Sequence, residues 1–226
     1  MKTWLLHAVT FAVAAGLIGL TGLALPETLL AAQNDGRPTI TVQVYNYSPA
    51  SPDVVIRAER EAGLILSAAG LQPVWLECPV KPPTPESPEP CQKATQATDL
   101  RLRILPASIQ NKFQDSVFGF AVHPALASVY YDYAERRAKV DDAEFELPVI
   151  LGGVIAHELG HLLMGSDAHS ASGIMQPRWD PNQVRLLLMG TLQFTPEQTK
   201  RMILAAQART EQEKNNLRST SVAPNR

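Results

Sequence analysis

The segment from Pro148 to Gly165 constrains the fold more than any other part of the chain, because it is long and almost wholly apolar. Its length and composition predict a core helix that begins at Pro148 and ends at Gly165. Only three of its side chains are ionisable: His157, Glu158 and His161. Glutamate is almost never fully buried without a partner, so a helix that served packing alone would not carry it. The segment therefore predicts a buried helix with a functional cluster of side chains.

Those three side chains form the pattern HExxH. Histidines four residues apart lie one helical turn apart on the same face, so the imidazoles of His157 and His161 can reach one metal ion. Glu158 is expected to stay outside the coordination shell and to act as the general base that takes a proton from a metal-bound water. Since zinc lowers the pKa of such a water to about 7, the pattern predicts one catalytic Zn²⁺ ion.

A catalytic zinc site usually takes three protein ligands and leaves a fourth position for water. We expect the third ligand beyond Gly165, which can end the helix and turn the chain back towards the metal. His169 is the only histidine in that part of the sequence, and it is the predicted ligand. Asp167 is the competing oxygen ligand, and a more distant carboxylate is the third alternative.

The residues HELGHLLMGSDAH, followed by SASGIM, resemble the metzincin zinc peptidases. That family carries HExxHxxGxxH and, a little later, a tight turn with a methionine beneath the metal, where Met175 stands here. In this chain Gly165 comes one residue later than the family glycine. His169 comes two residues later than the third histidine, whose place Asp167 takes, as in small snapalysin-type peptidases. The resemblance implies a divergent zinc endopeptidase with a zincin-like fold: a sheet with a backing helix, an active-site helix and a C-terminal helix.

For one further histidine and four aromatic residues, a structural role explains the sequence as well as or better than a role in the zinc site. Trp179 is predicted to be a packing aromatic, with a position in the wall of the cleft as the alternative. His123 is predicted to be a surface or turn histidine. In metzincin-like folds the region of Tyr130, Tyr131 and Tyr133 supplies an edge strand that pairs with an extended peptide substrate. Strand packing alone would explain these tyrosines equally well.

The order of elements predicts an α+β fold with a mixed sheet backed by two helices. The predicted strands are 39–47, 73–77, 99–105, 117–122 and 127–133, and the predicted helices are 51–70, 148–165, 182–189 and 195–210. The zincin-like domain is therefore expected to span residues 33–210. The polar residues 211–226 are expected to form a disordered tail.

Residues 1–32 are predicted to be an export signal, because a short basic start at Lys2 precedes a long apolar run and small residues that suit cleavage. The apolar run is long enough to serve instead as an uncleaved membrane anchor. Cys78 and Cys91 flank 12 residues, six of which are proline. Export implies an oxidising compartment, so we expect a Cys78–Cys91 disulfide and a secreted or periplasmic location, with anchoring to a membrane as the alternative.

Composition and charge argue against a nucleic-acid-binding function. The chain has 226 residues, is 45% hydrophobic and has a formal charge of −2, which is typical of a globular protein and gives no electrostatic basis for binding nucleic acid.

The leading hypothesis is a secreted, monomeric zinc endopeptidase that acts on a peptide or protein substrate and contacts a membrane only if the N-terminal segment is uncleaved. The alternatives are a catalytically inactive, zinc-stabilised binding protein on the same scaffold and a membrane-anchored interaction protein without a metal.

Overall fold

The computed structural model describes residues 36–81, 89–92, 96–107, 119–140 and 146–221. The predicted export segment 1–32, residues 82–88 of the proline-rich loop and residues 222–226 lie outside the described residues. The strands are β1 (Thr39–Asn46), β2 (Gln72–Glu77), β3 (Asp99–Leu105), β4 (Gly119–Val122) and β5 (Leu126–Tyr130). The helices are α1 (Pro52–Ala68), α2 (Glu89–Gln92), α3 (Tyr131–Val140), α4 (Leu147–Met164), α5 (Pro181–Leu188) and α6 (Pro196–Ser221).

The five described strands form one mixed sheet in the order β2-β1-β3-β5-β4. Strands β2, β1, β3 and β5 run parallel to one another, and β4 is antiparallel to β5. Successive residues of a strand point to opposite faces. One face therefore consists of fully buried aliphatic residues: Ile40, Val42, Leu100, Leu102, Ile104, Ala127 and Val129. The opposite face, which we call the outer face, carries polar and charged side chains from β1 and β3.

Helices α1 and α4 cover the apolar face of the sheet and pack against each other. The predicted start of α1 is confirmed, since the Ser51 hydroxyl accepts a hydrogen bond from the Val54 N–H and Pro52 occupies the first turn. The two helices come close at Gly152, where a Cβ would lie 2.7 Å from the carbonyl oxygen of Ala58. This close packing places α4, with the HExxH residues, in the centre of the molecule.

The predicted α+β, zincin-like class is confirmed by this arrangement of a mixed sheet, the backing helix α1, the helix α4 with the HExxH residues and the C-terminal helix α6. The predicted strand 127–133 is wrong in its last three residues. Strand β5 ends at Tyr130, and Tyr131 and Tyr133 lie in α3 with 9% and 3% of their surface exposed. Burial against the core decides their conformation here, because the strand preference of tyrosine depends on context. The edge strand at this end of the sheet is β4, not β5, and the opposite edge is β2.

Helix α6 extends to Ser221, so its predicted end at Thr210 is too early and residues 211–221 are not a disordered tail. Contacts with the body of the protein explain the extension. Arg209 donates hydrogen bonds to the carbonyl oxygens of Ala97 and Pro124, and the Glu213 carboxylate accepts one from the Ala97 N–H. Such contacts between distant parts of the chain are not visible in the local polarity of the sequence.

The predicted Cys78–Cys91 disulfide is confirmed, and it joins the end of β2 to α2. A disulfide is typical of proteins in an oxidising, extracytoplasmic environment.

Among the described helices, α4 is the one whose length and apolar composition would allow it to cross a bilayer. Its most apolar window is 89% buried inside the fold, which is the behaviour of a core helix.

Candidate active site

Three histidines converge at the C-terminal half of α4. His157 and His161 lie on the helix, His169 lies in the loop that follows, and each offers a ring nitrogen within 4.8 Å of the other two. The centroids of the rings are 4.9 to 5.3 Å apart. Only 1% of His157 and 5% of His161 is exposed, whereas His169 is exposed on the open side of the cluster. The arrangement could hold one metal ion.

Hydrogen bonds fix the ring orientation of the two helical histidines. The Nδ1 atom of His157 lies 2.8 Å from the carbonyl oxygen of Ile174, and the Nδ1 atom of His161 lies 2.9 Å from that of Ser166. A carbonyl oxygen only accepts, so each Nδ1 carries the proton and each Nε2 is the unprotonated nitrogen with the lone pair. The two Nε2 atoms are 3.2 Å apart. Both lone pairs are therefore directed to one region, as a shared metal ion requires.

Burial favours the neutral, metal-binding form of the histidines. Desolvation lowers the pKa of His157 to about 3, against a smaller opposing effect of its hydrogen bond to Ile174. Desolvation also lowers the pKa of His169, followed by repulsion from His161. A metal can bind an imidazole only through an unprotonated nitrogen, so the site is prepared for a cation at neutral pH.

Glu158 is 3% exposed and lies beside the histidines in sequence. Burial raises the pKa of its carboxyl group to about 8 in the protein without a metal, and the negative charge of Asp167 adds to the increase. A carboxyl group with a pKa near neutrality is well suited to take up and release a proton at pH 7. A bound cation would favour its ionised form.

The loop after α4 returns beneath the histidines. Gly165 ends the helix with a left-handed conformation, at a φ of 63°, and Gly173 makes a second left-handed turn before Ile174 and Met175. Met175 is fully buried, and a Cβ on Gly160 would lie 2.8 Å from its sulfur atom. The methionine thus packs directly against α4 between the two helical histidines, where the resemblance predicted it.

Trp179 packs against His157 and the carbonyl oxygen to which His157 is hydrogen-bonded. Its indole N–H donates to the carbonyl oxygen of Ile174 at 3.2 Å, the same oxygen that accepts from His157. Its ring centroid lies 6.1 Å from that of His157, and only 4% of the residue is exposed. This placement favours the packing interpretation over the cleft-wall interpretation.

The first two turns of α6 hold both ends of the loop that carries His169, and the sequence gives no sign of this support. The Gln198 amide donates to the Ser170 hydroxyl at 3.0 Å and accepts from the Thr195 N–H at 2.8 Å. Arg201 donates to the carbonyl oxygen of Met164 at 3.0 Å. The place of Gln198 three residues after Thr195 indicates a capping role, but no local pattern indicates its contact with Ser170, 28 residues away.

Asp167, the competing ligand in the sequence analysis, contacts another residue. Its carboxylate lies 3.0 Å from the Nε2 atom of His123, in the turn between β4 and β5, and 79% of its side chain is exposed. It does not belong to the group of three residues that could share one metal ion among the described parts of the chain. The geometry favours His169 as the third ligand, and His123 has a contact that no local sequence signal indicates.

No protein-family model matches this sequence, and no curated protein matches it. Among solved structures, the chain is similar to the crystal structure of archaemetzincin (amzA) from Methanopyrus kandleri. The sequence identity is 15% and the TM-score is 0.43, over 77% of this chain and 97% of that chain. Because a similarity this low carries no argument about function, the chemistry of the site rests on the geometry of its own side chains.

Proposed function

We propose that this chain is a zinc-dependent peptidase in which His157, His161 and His169 hold the metal and Glu158 is the general base. The observation that carries the proposal is the convergence of three imidazole nitrogens within 4.8 Å, beside a buried glutamate on the same helix. Structural metal sites usually have four protein ligands, whereas three histidines leave one position open for water or substrate.

The donor set fits zinc. Imidazole nitrogens are ordinary zinc ligands, and the carbonyl oxygens of Ile174 and Ser166 hold the two helical rings in the required tautomer. Zinc bound at this site would polarise a scissile carbonyl group and lower the pKa of a water molecule. Glu158 takes a proton from the attacking water and later donates it to the leaving amine. Zinc beside the carboxylate would favour its ionised form, which accepts the proton first, and the same group then releases that proton.

Strand β4 is the part of the fold that best suits an extended peptide substrate. It lies at the edge of the sheet, it pairs with β5 on one side, and it contacts α4. A peptide can add to such an edge through main-chain hydrogen bonds, which bind many sequences with little selectivity. Strand β4 therefore takes the substrate-binding role that the sequence suggested for the region of Tyr130, Tyr131 and Tyr133, because Tyr131 and Tyr133 lie in α3 and not in a strand.

We also propose that the protein acts outside the cytoplasm, after export directed by residues 1–32. The Cys78–Cys91 disulfide supports this location, since such bonds are rare in reducing compartments. Mass spectrometry of the protein isolated from its native host should find a chain that lacks the leader and has no alkylatable thiol. A full-length chain with a disulfide would favour the membrane anchor, and two free thiols would contradict export.

The peptidase proposal is tested by metal analysis coupled to an activity assay. The purified protein should contain about one zinc ion per chain, as expected of a single site. It should cleave members of a broad peptide library, lose this activity on chelation and recover it with added zinc. A protein that binds zinc tightly and cleaves no peptide would favour the zinc-stabilised scaffold instead, and a protein that binds no zinc would contradict both functions.

A further inference from the structure

The outer face of the sheet contains a cavity of about 520 Å³, and its described lining residues do not include the histidine cluster. Strands β1 and β3 form its floor, and the end of β4 with the turn into β5 forms its wall. We call it the outer-face cavity. Its lining residues are Tyr45, Tyr47, Arg101, Arg103, Val122, His123, Pro124, Ala125 and Leu126. The volume lies within the range of roughly 300–1,000 Å³ that small-molecule sites occupy.

Two arginines stand next to each other on the floor of this cavity. Arg101 and Arg103 are two residues apart on β3 and therefore share one face, and Tyr45 is paired with Arg103 across β1. The Nε atom of Arg103 donates to the buried hydroxyl of Ser128 at 3.0 Å. Its guanidinium carbon lies 5.9 Å from the ring centroid of Phe120. These contacts hold the guanidinium group in place, and no described residue forms a hydrogen bond with its terminal nitrogens, which can therefore bind a ligand.

No acidic side chain neutralises this pair at close range among the described residues that line the cavity. Asp99, two residues before Arg101 on β3, interacts electrostatically with that arginine, and its carboxylate also accepts hydrogen bonds from the Gln96 N–H at 2.9 Å and the Gln43 amide at 3.5 Å. The Asp167 carboxylate contacts His123 of the lining at 3.0 Å. Within the described ranges no salt bridge joins either arginine to a carboxylate, so the cavity keeps an excess of positive charge that Asp99 reduces only in part.

The rest of the lining supplies flat and apolar surface. The phenol rings of Tyr45 and Tyr47 contribute O–H groups and aromatic faces, and Tyr47 is 44% exposed. The opposite wall consists mainly of Val122, Pro124 and Leu126, of which Val122 is 49% exposed. A site with two guanidinium groups at one end and apolar walls around them matches an anion that carries an apolar body.

We propose that the outer-face cavity is a second binding site, for a small molecule that joins a carboxylate or phosphate group to a flat apolar portion. Arg101 and Arg103 bind the anionic group, and the tyrosines and the wall at 122–126 bind the apolar portion. None of its lining residues belongs to the histidine cluster. The two sites are nevertheless neighbours, since His123 contacts Asp167 and Val122 ends β4, the proposed substrate-binding strand. Guanidinium groups bind both oxyanions through paired hydrogen bonds, so the two anion types are compared directly in the test.

The test is calorimetric titration of the full-length, zinc-loaded protein with phenyl phosphate, benzoate, inorganic phosphate and benzyl alcohol. We expect phenyl phosphate or benzoate to bind with a Kd of about 1 mM or below, and inorganic phosphate and benzyl alcohol to bind at least tenfold more weakly. The better of the two aromatic anions identifies the preferred anionic group. Equal binding of benzyl alcohol would overturn the role of charge, and absence of binding by both aromatic anions would overturn the site.

The variant Arg101→Gln should weaken binding of the aromatic anion about tenfold, because it removes one charge-assisted contact. Arg101 is exposed, so its replacement should not disturb folding, and the melting temperature in buffer without the anion checks this. The matched control is Arg60→Gln, an exposed arginine on α1, which should leave binding unchanged. An anion bound at the zinc ion would instead bind Arg101→Gln as tightly as the wild type, and that result would contradict the proposal.

Discussion

The candidate site is built from two unlike halves. The helical half, His157, Glu158 and His161, is almost fully buried in the centre of the fold, and its geometry follows from the period of one helix. The loop half, with His169 and Asp167, is exposed and depends on hydrogen bonds from α6 and from the turn at His123. The contrast teaches that local sequence can determine one half of a candidate metal site while contacts with distant parts of the chain determine the other half. The following predictions test this division.

The largest expected effect is the loss of zinc on replacement of a buried ligand. His157→Ala or His161→Ala should weaken zinc binding by more than about 100-fold, above the effect of losing an outer-shell partner. His169→Ala should also weaken binding strongly, and Asp167→Ala should weaken it less. Competition with a fluorescent zinc chelator gives the dissociation constants. A larger effect of Asp167→Ala than of His169→Ala would show that the carboxylate is the third ligand.

Gly160 tests the contact between the helical half and the methionine turn. In Gly160→Ala the new Cβ would lie 2.7 Å from the ring of Phe194 and 2.8 Å from the sulfur of Met175. Both side chains must move, so the turn that holds His157 should shift and zinc binding should weaken by about tenfold.

The control is Gly152→Ala, where the close contacts are with α1, at the Glu61 Cβ and the Ala58 carbonyl oxygen, and not with the site. It should cost about 1–3 kcal/mol of unfolding free energy while the folded protein keeps its zinc affinity. If Gly160→Ala lowered stability without any change in zinc affinity, the methionine turn would be a packing feature only.

Gln198 tests the support of the loop half. Gln198→Ala removes the hydrogen bond to Ser170, the neighbour of His169, and should weaken zinc binding by roughly tenfold. The control is Gln183→Ala, which removes the equivalent capping interaction from α5 without touching the loop. Equal zinc affinities for the two variants would contradict a role of α6 in positioning His169.

Sequence reasoning found the helical half because period, spacing and residue type are local properties. The HExxH residues, the helix end at Gly165 and the methionine turn all lie within one stretch of the chain. Strand β3 was likewise predicted at 99–105 and is found there, since its alternation of apolar and polar residues is strict. The contacts of Arg201 with Met164 and of His123 with Asp167 join residues 37 and 44 positions apart, so no local pattern indicates them. The same reason explains the missed extension of α6 beyond Thr210.

The smallest expected effect is a pH dependence of stability that separates Glu158 from a second buried carboxyl group. Burial raises the pKa of Glu158 to about 8 and that of Glu59 to about 7, the latter with a contribution from Glu77. The folded metal-free protein therefore binds more protons than the unfolded chain above pH 4.5, and each carboxyl group lowers stability as the pH rises. Relative to the wild type, Glu158→Gln should gain stability from pH 4.5 to 8 and Glu59→Gln from pH 4.5 to 7.

Urea unfolding across this pH range measures both gains. Zinc favours the ionised form of a carboxylate beside it, so added zinc should reduce the gain of Glu158→Gln and leave that of Glu59→Gln unchanged. An equal response of the two variants to zinc would contradict the placement of Glu158 next to the metal.

The central claim, that the histidine cluster and Glu158 form a peptidase site, is tested most directly by the turnover of Glu158→Gln. Glutamine keeps the size of the side chain but cannot accept the proton of the attacking water. The variant should bind about one zinc ion per chain and lose a factor of roughly 10²–10⁴ in turnover on any peptide that the wild type cleaves. Glu211→Gln, at an exposed position of α6, should retain full turnover. Unchanged turnover of Glu158→Gln with zinc bound would contradict the mechanism.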